Sequence, residues 1–368
     1  MNVLIYGFSG KILGGIETFI LNMNEHMSDD CVFDYIIDGD ICVYRNRIEQ
    51  RCGKVLFVPY IRKHLLGYIR TFWKILGEQK QHGTRLFYYQ LFSMANLLPA
   101  FMAKMRGYKV ILHAHNNGLQ SKSKVYVLIH YLGKFLARFG NFIYFTNSQL
   151  SSDYMFGKGI KSELIYNAID IEKFSFQQKI RDKVRIDQDC GNNTVIGFVG
   201  RLSRQKNPLF MIQIFSEILK LKNDCELWIV GEGELKDAML QEIDRLGIVQ
   251  SVKWLGRRDD VEQLMQGMDL LLQPSLFEGL GIVLIEAQVT GCLVVSSKDV
   301  VPDEVKVSDI MMIDLKQLPI FWAKECVNYI TTNTRKKRGF SEICCRNNFN
   351  IKSEAIRFET LLLSYNIV

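Results

Sequence analysis

The hydrophobic pattern of the first half of the chain alternates short, nearly all-apolar runs with longer segments whose apolar residues recur at helical spacing. Such short runs are typical of strands covered on both faces of a parallel sheet, and the helical spacing predicts the elements that cover them. The pattern predicts strands at 3–6, 33–37, 55–58, 85–89, 110–113 and 142–146. It predicts helices at 16–26, 62–79, 94–105 and 124–138.

The alternation pauses after residue 167 and then begins again. Residues 167–174, together with a charged stretch that extends to Asn193, are predicted to be a linker. Further strands are predicted at 195–199, 226–230, 252–255, 270–273, 293–296 and 311–313, with helices between them such as 208–221 and 235–246. We therefore expect an α/β fold of two doubly wound domains, 1–176 and 177–349. Ligands bind such sheets at the carboxyl ends of their strands, and a cleft between two such domains is the expected site.

Composition is that of a globular protein, with 48% hydrophobic and 23% charged residues among 368. The nine cysteines include no C-x-x-C pair. This favours reduced thiols in a cytoplasmic protein over a disulfide framework or a zinc site.

Basic residues are concentrated between 41 and 140. Seventeen lysines and arginines in this region stand against two acidic residues, Glu49 and Glu78, and aromatic residues such as Tyr68 and Trp73 lie among them. The pattern predicts contact with an anionic membrane surface. A solvated basic surface without a partner is the alternative, and nucleic acid is not expected because no nucleic-acid-binding module is visible.

Two glutamates, Glu278 and Glu286, lie on either side of a glycine elbow at Gly279 and Gly281. Glu278 follows a strand-like run and Glu286 lies in a helix-like one. A strand that turns through glycine into a helix presents backbone N–H groups that can seat a phosphate. A carboxylate on each side can bind hydroxyl groups. The layout predicts a site for a phosphorylated polyol such as a nucleotide sugar.

Two cations follow the first strand of the second domain. Arg201 and Lys206 lie on a loop at the carboxyl end of that strand, just before Pro208. An arginine fork and a lysine point charge suit a diphosphate, whereas two isolated surface cations would need no ligand. Their position at a strand end favours the diphosphate.

Further glycine loops end other strands. Gly14 and Gly15 precede the first helix, where either close approach to a ligand or a tight turn explains them. Gly231 ends the next strand of the second domain, and Gly256 with Arg257 ends the one after it. Backbone groups on the last loop are candidates to meet a nucleobase.

Two of the six histidines, His113 and His115, lie at the end of one predicted strand, where alternation places them on the same face of the sheet. A metal site is not expected because a third ligand is not evident. The position at a strand end favours a functional role for one histidine over simple packing.

The segment 200–206, the loop 230–233 and the stretch 278–286 together resemble retaining glycosyltransferase family 4, and the resemblance extends over nearly the whole chain. The segments 14–19 and 113–116 resemble members that act in bacterial capsule, exopolysaccharide or O-antigen assembly. The resemblance implies the GT-B fold, in which two Rossmann-like domains face each other across a cleft. The acceptor then belongs to domain 1–176, the nucleotide sugar mainly to domain 177–349, and the helix within 350–368 packs back on the first domain.

The resemblance also implies roles for the residues. Arg201 and Lys206 hold the diphosphate and stabilise the leaving group, Glu278 binds hydroxyls of the transferred sugar, and Glu286 binds the ribose. His115 is the catalytic histidine, with His113 as the alternative. The remaining donor contacts are Gly14, Gly15, Gly231, Gly256, Arg257, Gly279, Leu280, Gly281 and Ile282.

The implied reaction retains the anomeric configuration and uses a UDP-linked donor, with no metal or other cofactor. The acceptor is a lipid-linked or soluble glycan, and the enzyme is expected in the cytoplasm, peripherally on the inner face of the plasma membrane. The alternatives are a GT-B nucleotide-sugar epimerase and a non-catalytic glycan-binding subunit. Two positions depart from the family pattern: Asn207 replaces a common glycine, and Gly281 replaces a proline or serine.

Overall fold

The computed structural model describes residues 1–11, 14–118, 123–333 and 348–366. It divides into two compact units, one of Met1–Ala168 with Asn350–Val368 and the other of Ile169–Phe349. The chain leaves the first unit at Ala168, whereas the sequence pattern placed the boundary at 176. Each unit is built on a parallel sheet, so the predicted α/β class is confirmed.

The first unit contains seven parallel strands in the order β3-β2-β1-β4-β5-β6-β7. These strands are β1 (Asn2–Tyr6), β2 (Val32–Asp38), β3 (Val55–Val58), β4 (Leu86–Leu91), β5 (Lys109–Ala114), β6 (Ile143–Thr146) and β7 (Glu163–Leu164). Its helices are α1 (Gly15–His26), α2 (Arg45–Gln50), α3 (Leu65–Gln81), α4 (Leu98–Met105), α5 (Lys124–Ala137), α6 (Gln149–Met155) and, after the second unit, α14 (Ile351–Asn366).

The sheet of the first unit is apolar on both faces, as its near-continuous hydrophobic strands require. Val3 and Ile5 of β1 lie in one core cluster with side chains of α1 and α14. Leu4 and Tyr6 lie in the other cluster with side chains of α3 and α4. The alternation along one strand therefore distributes its side chains between two helical layers.

The last helix, α14, completes the first of these clusters. The ring centroid of Phe358 lies 5.6 Å from that of Tyr88 and 6.4 Å from that of Phe19. The Tyr166 N–H donates to Glu354 Oε1 over 2.8 Å, and the Ser28 N–H donates to Glu359 Oε2 over 2.9 Å. Apolar packing and specific hydrogen bonds thus hold the end of the described chain on the first unit.

The second unit contains six parallel strands in the order β10-β9-β8-β11-β12-β13. These are β8 (Thr194–Val199), β9 (Cys225–Val230), β10 (Val252–Gly256), β11 (Leu270–Gln273), β12 (Leu293–Ser297) and β13 (Met311–Ile313). Its helices are α7 (Ile171–Phe174), α8 (Gln178–Asp187), α9 (Pro208–Leu221), α10 (Lys236–Arg245), α11 (Val261–Gly267), α12 (Ile282–Val289) and α13 (Pro319–Thr332).

The predicted linker is wrong in one respect, because it contains the helices α7 and α8. Val184 is the one buried residue of α8, and few of the ten residues in this helix are apolar. Polar contacts dock it instead. Arg181 Nη2 lies 2.5 Å from Asp269 Oδ1, and Arg181 Nη1 donates to the carbonyl of Gln266 over 2.9 Å. A hydrophobic pattern does not predict a helix that is docked by arginine side chains.

Other corrections concern helix starts. Helix α4 begins at Leu98 rather than at residue 94, with Pro99 in its first turn, where its missing N–H costs nothing. Helix α3 begins at Leu65 rather than at 62. No helix among the described residues combines the length and apolar character needed to span a bilayer.

Candidate functional site

Three glycines that follow strands of the second unit bring their loops into direct contact. Gly200, Gly231 and Gly256 follow or end β8, β9 and β10 with φ values of +150°, +144° and +65°. A Cβ atom on Gly231 would lie 2.0 Å from the Gly200 carbonyl oxygen, and the Gly231 N–H donates to the Gly256 carbonyl over 2.8 Å. The carboxyl edge of the sheet therefore exposes backbone without side chains here. A side chain at Gly231 would disrupt the contact between the two loops.

Lys206 and Glu278 meet on this edge. Lys206 Nζ donates to Glu278 Oε1 over 2.6 Å, and the two side chains are 16% and 4% exposed. Ser275 Oγ donates to the same oxygen over 2.6 Å. The pair joins the loop after β8 to the loop after β11, so two of the predicted site residues are brought together.

The structure explains how Asn207 can replace the glycine that is common at this position of the family. It has the left-handed conformation, with φ 54° and ψ 48°, and it caps α9, which begins at Pro208. Glycine favours this conformation, and asparagine is among the side-chain-bearing residues that best tolerate it. The change therefore preserves the helix start.

The glycine elbow is present as predicted. Gly281 has φ +82° and caps α12, whose first residue is Ile282. A Cβ atom on Gly281 would lie 3.3 Å from Leu284 Cδ1, and the positive φ disfavours any other residue. Helix α12 therefore begins shortly after Glu278 and the buried Leu280. Its N-terminal N–H groups are at the end of the helix that follows the glycine elbow.

Glu286 lies on α12 and is partly buried. Loss of hydration raises the pKa of Glu286 to about 7, and the carboxylate of Glu262 acts in the same direction. The cations of Lys206 and Lys173 oppose this effect. The carboxyl group therefore stays protonated to a higher pH than a free glutamate does, and in that form it can donate a hydrogen bond as well as accept one.

Arg201 is placed differently from Lys206. Its Nη2 lies 3.2 Å from Glu234 Oε2, and both side chains are more than half exposed. An exposed pair of this kind contributes about 0–1 kcal/mol. The guanidinium can therefore turn toward another anion at little cost. Arg257 is exposed as well.

Gln273, at the end of β11, was missed by the sequence analysis. Its side chain is fully buried, and neither Nε2 nor Oε1 has a hydrogen-bond partner among the described residues. Its Nε2 lies 3.6 Å from the position of a Cβ atom on Gly200. An amide at the end of an otherwise apolar strand, Leu270–Gln273, is the signal that would have identified it.

In the first unit, His113 and His115 form a buried pair whose ring centroids are 4.0 Å apart. His113 Nδ1 hydrogen-bonds the Tyr88 hydroxyl, and His115 Nε2 lies 2.6 Å from Gln90 Oε1. Burial lowers the pKa of His115 to about 3 and that of His113 well below its usual value. Both rings are neutral. Among the described residues, His115 Nδ1 has no hydrogen-bond partner.

Gly14 and Gly15 have different surroundings. The Gly14 N–H donates to Glu17 Oε2 over 3.1 Å, and a Cβ atom there would lie 2.7 Å from that oxygen. The capping of α1 by the buried Glu17 thus accounts for Gly14. At Gly15 a Cβ atom would meet nothing within 4 Å.

A pocket of about 640 Å³ lies at the carboxyl ends of β1, β2 and β4 in the first unit. Neither Gly14 nor Gly15 is among the described residues that line it. Tyr60 and Tyr89 provide aromatic surface, and Lys11 and Arg62 provide positive charge. Gln90, the partner of His115, is also part of the lining.

Comparisons with known proteins show which proteins this chain resembles. Residues 177–309 match the family described as Glycosyl transferases group 1. The chain is 24% identical over 315 residues to the putative glycosyltransferase EpsF of Bacillus subtilis, covering 80% of this chain and 79% of that protein. It is 33% identical over 141 residues to the UDP-Gal:alpha-D-GlcNAc-diphosphoundecaprenol alpha-1,3-galactosyltransferase of Escherichia coli, covering 37% of this chain and 36% of that enzyme.

The fold is matched over the whole chain. The crystal structure of Anabaena Alr3699/HepE in complex with UDP and glucose superposes with a TM-score of 0.79 at 21% identity, covering 99% of this chain and 100% of that one. The expected resemblance to bacterial glycosyltransferases and the expected GT-B class are confirmed, and the group 1 match is consistent with family 4. Residues 177–309 form a glycosyl transferases group 1 domain, and the chain is a glycosyltransferase with the GT-B fold.

Proposed function

We propose that this glycosyltransferase moves a sugar from a UDP-linked donor to a glycan acceptor in the assembly of a bacterial surface polysaccharide, with retention at the anomeric carbon and without a metal. The observation that carries the proposal is the buried Lys206–Glu278 pair directly before the start of α12. It combines a cation for phosphate with a carboxylate for sugar hydroxyls. The UDP and glucose bound by Anabaena HepE support the donor class.

The pair is proposed to lie on both sides of the bond that breaks. The ammonium of Lys206 faces the diphosphate while the carboxylate of Glu278 accepts hydrogen bonds from the transferred sugar. Arg201 turns from Glu234 to the diphosphate, and the N–H groups at the start of α12 add positive potential. Glu286 binds the ribose hydroxyls, and the backbone at Gly256 and Arg257 faces the base.

The acceptor hydroxyl oxygen attacks the anomeric carbon on the face that the phosphate leaves, and the bond from that carbon to the phosphate oxygen breaks. Its electron pair departs with UDP, whose charge is stabilised by Lys206 and Arg201. The hydroxyl proton moves to the departing phosphate oxygen. No metal is required because the two cations and the helix start balance the charge of the leaving group.

The acceptor is proposed to use the pocket of the first unit, where tyrosines offer flat faces to sugar rings and Lys11 and Arg62 offer positive charge. A lipid-linked or soluble glycan fits this chemistry. The galactosyltransferase of Escherichia coli acts on a diphosphoundecaprenol-linked sugar. We place the enzyme in the cytoplasm, peripherally on an anionic membrane surface met by the basic region 41–140. His115 remains the proposed catalytic histidine, acting as a neutral imidazole.

A donor screen tests the proposal. The full chain is incubated with UDP-sugars and a glycan acceptor, and UDP release and product mass are measured together. Product with the anomeric configuration of the donor supports it. Interconversion of two UDP-sugars without transfer would indicate an epimerase instead. Binding of a glycan without turnover of any donor would indicate a non-catalytic subunit.

A further inference from the structure

Helix α5 exposes an unusual amount of apolar surface. Leu128, Leu132 and Phe135 on the helix, and Phe139 just beyond its end, are 69%, 53%, 54% and 73% exposed. These four residues, called here the α5 stripe, recur at helical spacing, and the Phe135 and Phe139 ring centroids lie 5.3 Å apart. A contiguous exposed stripe of this kind marks a contact with a protein or a membrane.

The opposite face of α5 docks the helix on the first unit. Its buried residues are His130, Gly133 and Ala137. A Cβ atom on Gly133 would lie 1.8 Å from the Met94 carbonyl oxygen, and the Met94 N–H donates to His130 Nδ1 over 3.2 Å. Because this close backbone contact fixes the rotation of the helix, the α5 stripe cannot turn inward.

The charges near the α5 stripe indicate which kind of partner would contact it. Lys124 and Arg138, near the ends of the helix, are exposed. The sequence has no aspartate or glutamate between Glu78 and Asp153. An apolar stripe on a helix that carries cations and no carboxylate complements the headgroup region of an anionic bilayer. The helix has 14 residues and is about 21 Å long, against a hydrocarbon core of about 30 Å, so it suits lying along the interface.

The same helix also borders the pocket. Tyr126 and Ile129 of α5 are among the residues that line the pocket of the first unit, together with the cations Lys11 and Arg62. Insertion of the α5 stripe would therefore bring the pocket to the level of lipid headgroups.

We propose that the α5 stripe inserts into the headgroup–acyl boundary of an anionic bilayer, so that a lipid-anchored acceptor enters the pocket of the first unit from the membrane surface. This inference rests on the proposed function and adds the element that inserts. Its energy comes from burying the apolar stripe, with the cations adding a contribution that salt weakens.

Vesicle co-sedimentation of the full chain tests the inference. Vesicles of phosphatidylcholine with phosphatidylglycerol should bind the wild type, and the variant Leu128→Gln/Leu132→Gln should bind at least about tenfold more weakly. The matched control is Ile186→Gln/Leu221→Gln, which changes two exposed apolar side chains on helices of the second unit. The control should bind as the wild type does. Transfer to an acceptor embedded in vesicles should fall with binding in the first variant only.

Three outcomes would overturn the inference: a wild type that does not bind these vesicles, a stripe variant that binds as well as the wild type, or a wild-type dimer in light scattering that the stripe substitutions dissociate. Transfer to a water-soluble acceptor separates this inference from the proposed function. It should be the same in the stripe variant and the wild type. Its absence in a wild type that binds vesicles would overturn the proposed function, whereas its presence in a wild type that ignores vesicles would overturn the membrane inference alone.

Discussion

Lys206 and Glu278 form a nearly buried ion pair across two strand-end loops, with Nζ 2.6 Å from Oε1 and the hydroxyl of Ser275 on the same oxygen. Removing one member of such a pair leaves the other without its charge partner, which is strongly destabilising. The pair therefore stabilises the fold and is also the proposed binding site for the donor. Substitutions can separate these two roles.

Lys206→Met should lower kcat at least about a hundredfold, because in the proposed mechanism the leaving diphosphate loses its buried cation. The same change should destabilise the fold by about 3 kcal/mol, since Glu278 is left unpaired. Lys206→Met/Glu278→Gln should recover most of this stability without recovering activity. Steady-state kinetics and denaturant unfolding measure the two effects.

The matched control for this lysine is Lys220→Met, which removes an exposed cation of α9 that is paired with Glu217. Its kcat and stability should stay close to those of the wild type. Wild-type turnover in Lys206→Met would contradict the role of Lys206 in leaving-group stabilisation.

The raised pKa of Glu286 should make the stability of the protein depend on pH. Its pKa is raised from 4.5 to about 7 in the folded protein, so the folded state binds more protons between these values than the unfolded state. The contribution of Glu286 is therefore fully present below about pH 4.5 and is lost as the pH rises through 7. Relative to Glu286→Gln, the wild type should lose on the order of 3 kcal/mol across this window.

Thermal or denaturant unfolding of the two proteins over this pH range measures the difference. A difference that does not change with pH would show that Glu286 is not perturbed. If Glu286 binds the ribose as a carboxylate, the donor KM of the wild type should also fall as the pH rises through about 7, and this dependence should vanish in Glu286→Gln.

His115 should not titrate in the pH–rate profile near neutrality, because burial holds its pKa at about 3. His115→Gln should lower kcat on the order of tenfold or more in the protein that remains folded. The paired variant His113→Gln disrupts the hydrogen bond with Tyr88 and should mainly lower the Tm. Unchanged kcat in His115→Gln together with a large loss in a stably folded His113→Gln would assign the catalytic role to His113.

Treatment with EDTA should leave turnover unchanged, because Lys206, Arg201 and the start of α12 are proposed to supply the positive charge near the leaving group. Turnover of the donor found in the screen is measured before and after chelation, with and without added Mg²⁺. Loss of activity that Mg²⁺ restores would contradict the metal-free mechanism.

The sequence predicted twelve of the thirteen described strands, because a strand buried on both faces is mostly apolar, but it missed the two-residue β7. It predicted the edge occupied by Lys206 and Glu278 because carboxyl ends of parallel strands share one edge. It could not predict that these two residues pair, since their contact depends on loop conformations set by Asn207 and Gly281. The sequence pattern did not predict helix α8, because arginines rather than apolar side chains dock it on the second unit.

The position of α14 has a consequence for the order of folding during synthesis. Phe358 and Ala355 belong to the core of the first unit, yet the ribosome makes them only after the whole of Ile169–Phe349. Domains usually fold in the order in which they emerge. Here the second unit can complete its core first, while the first unit must wait for the arrival of α14.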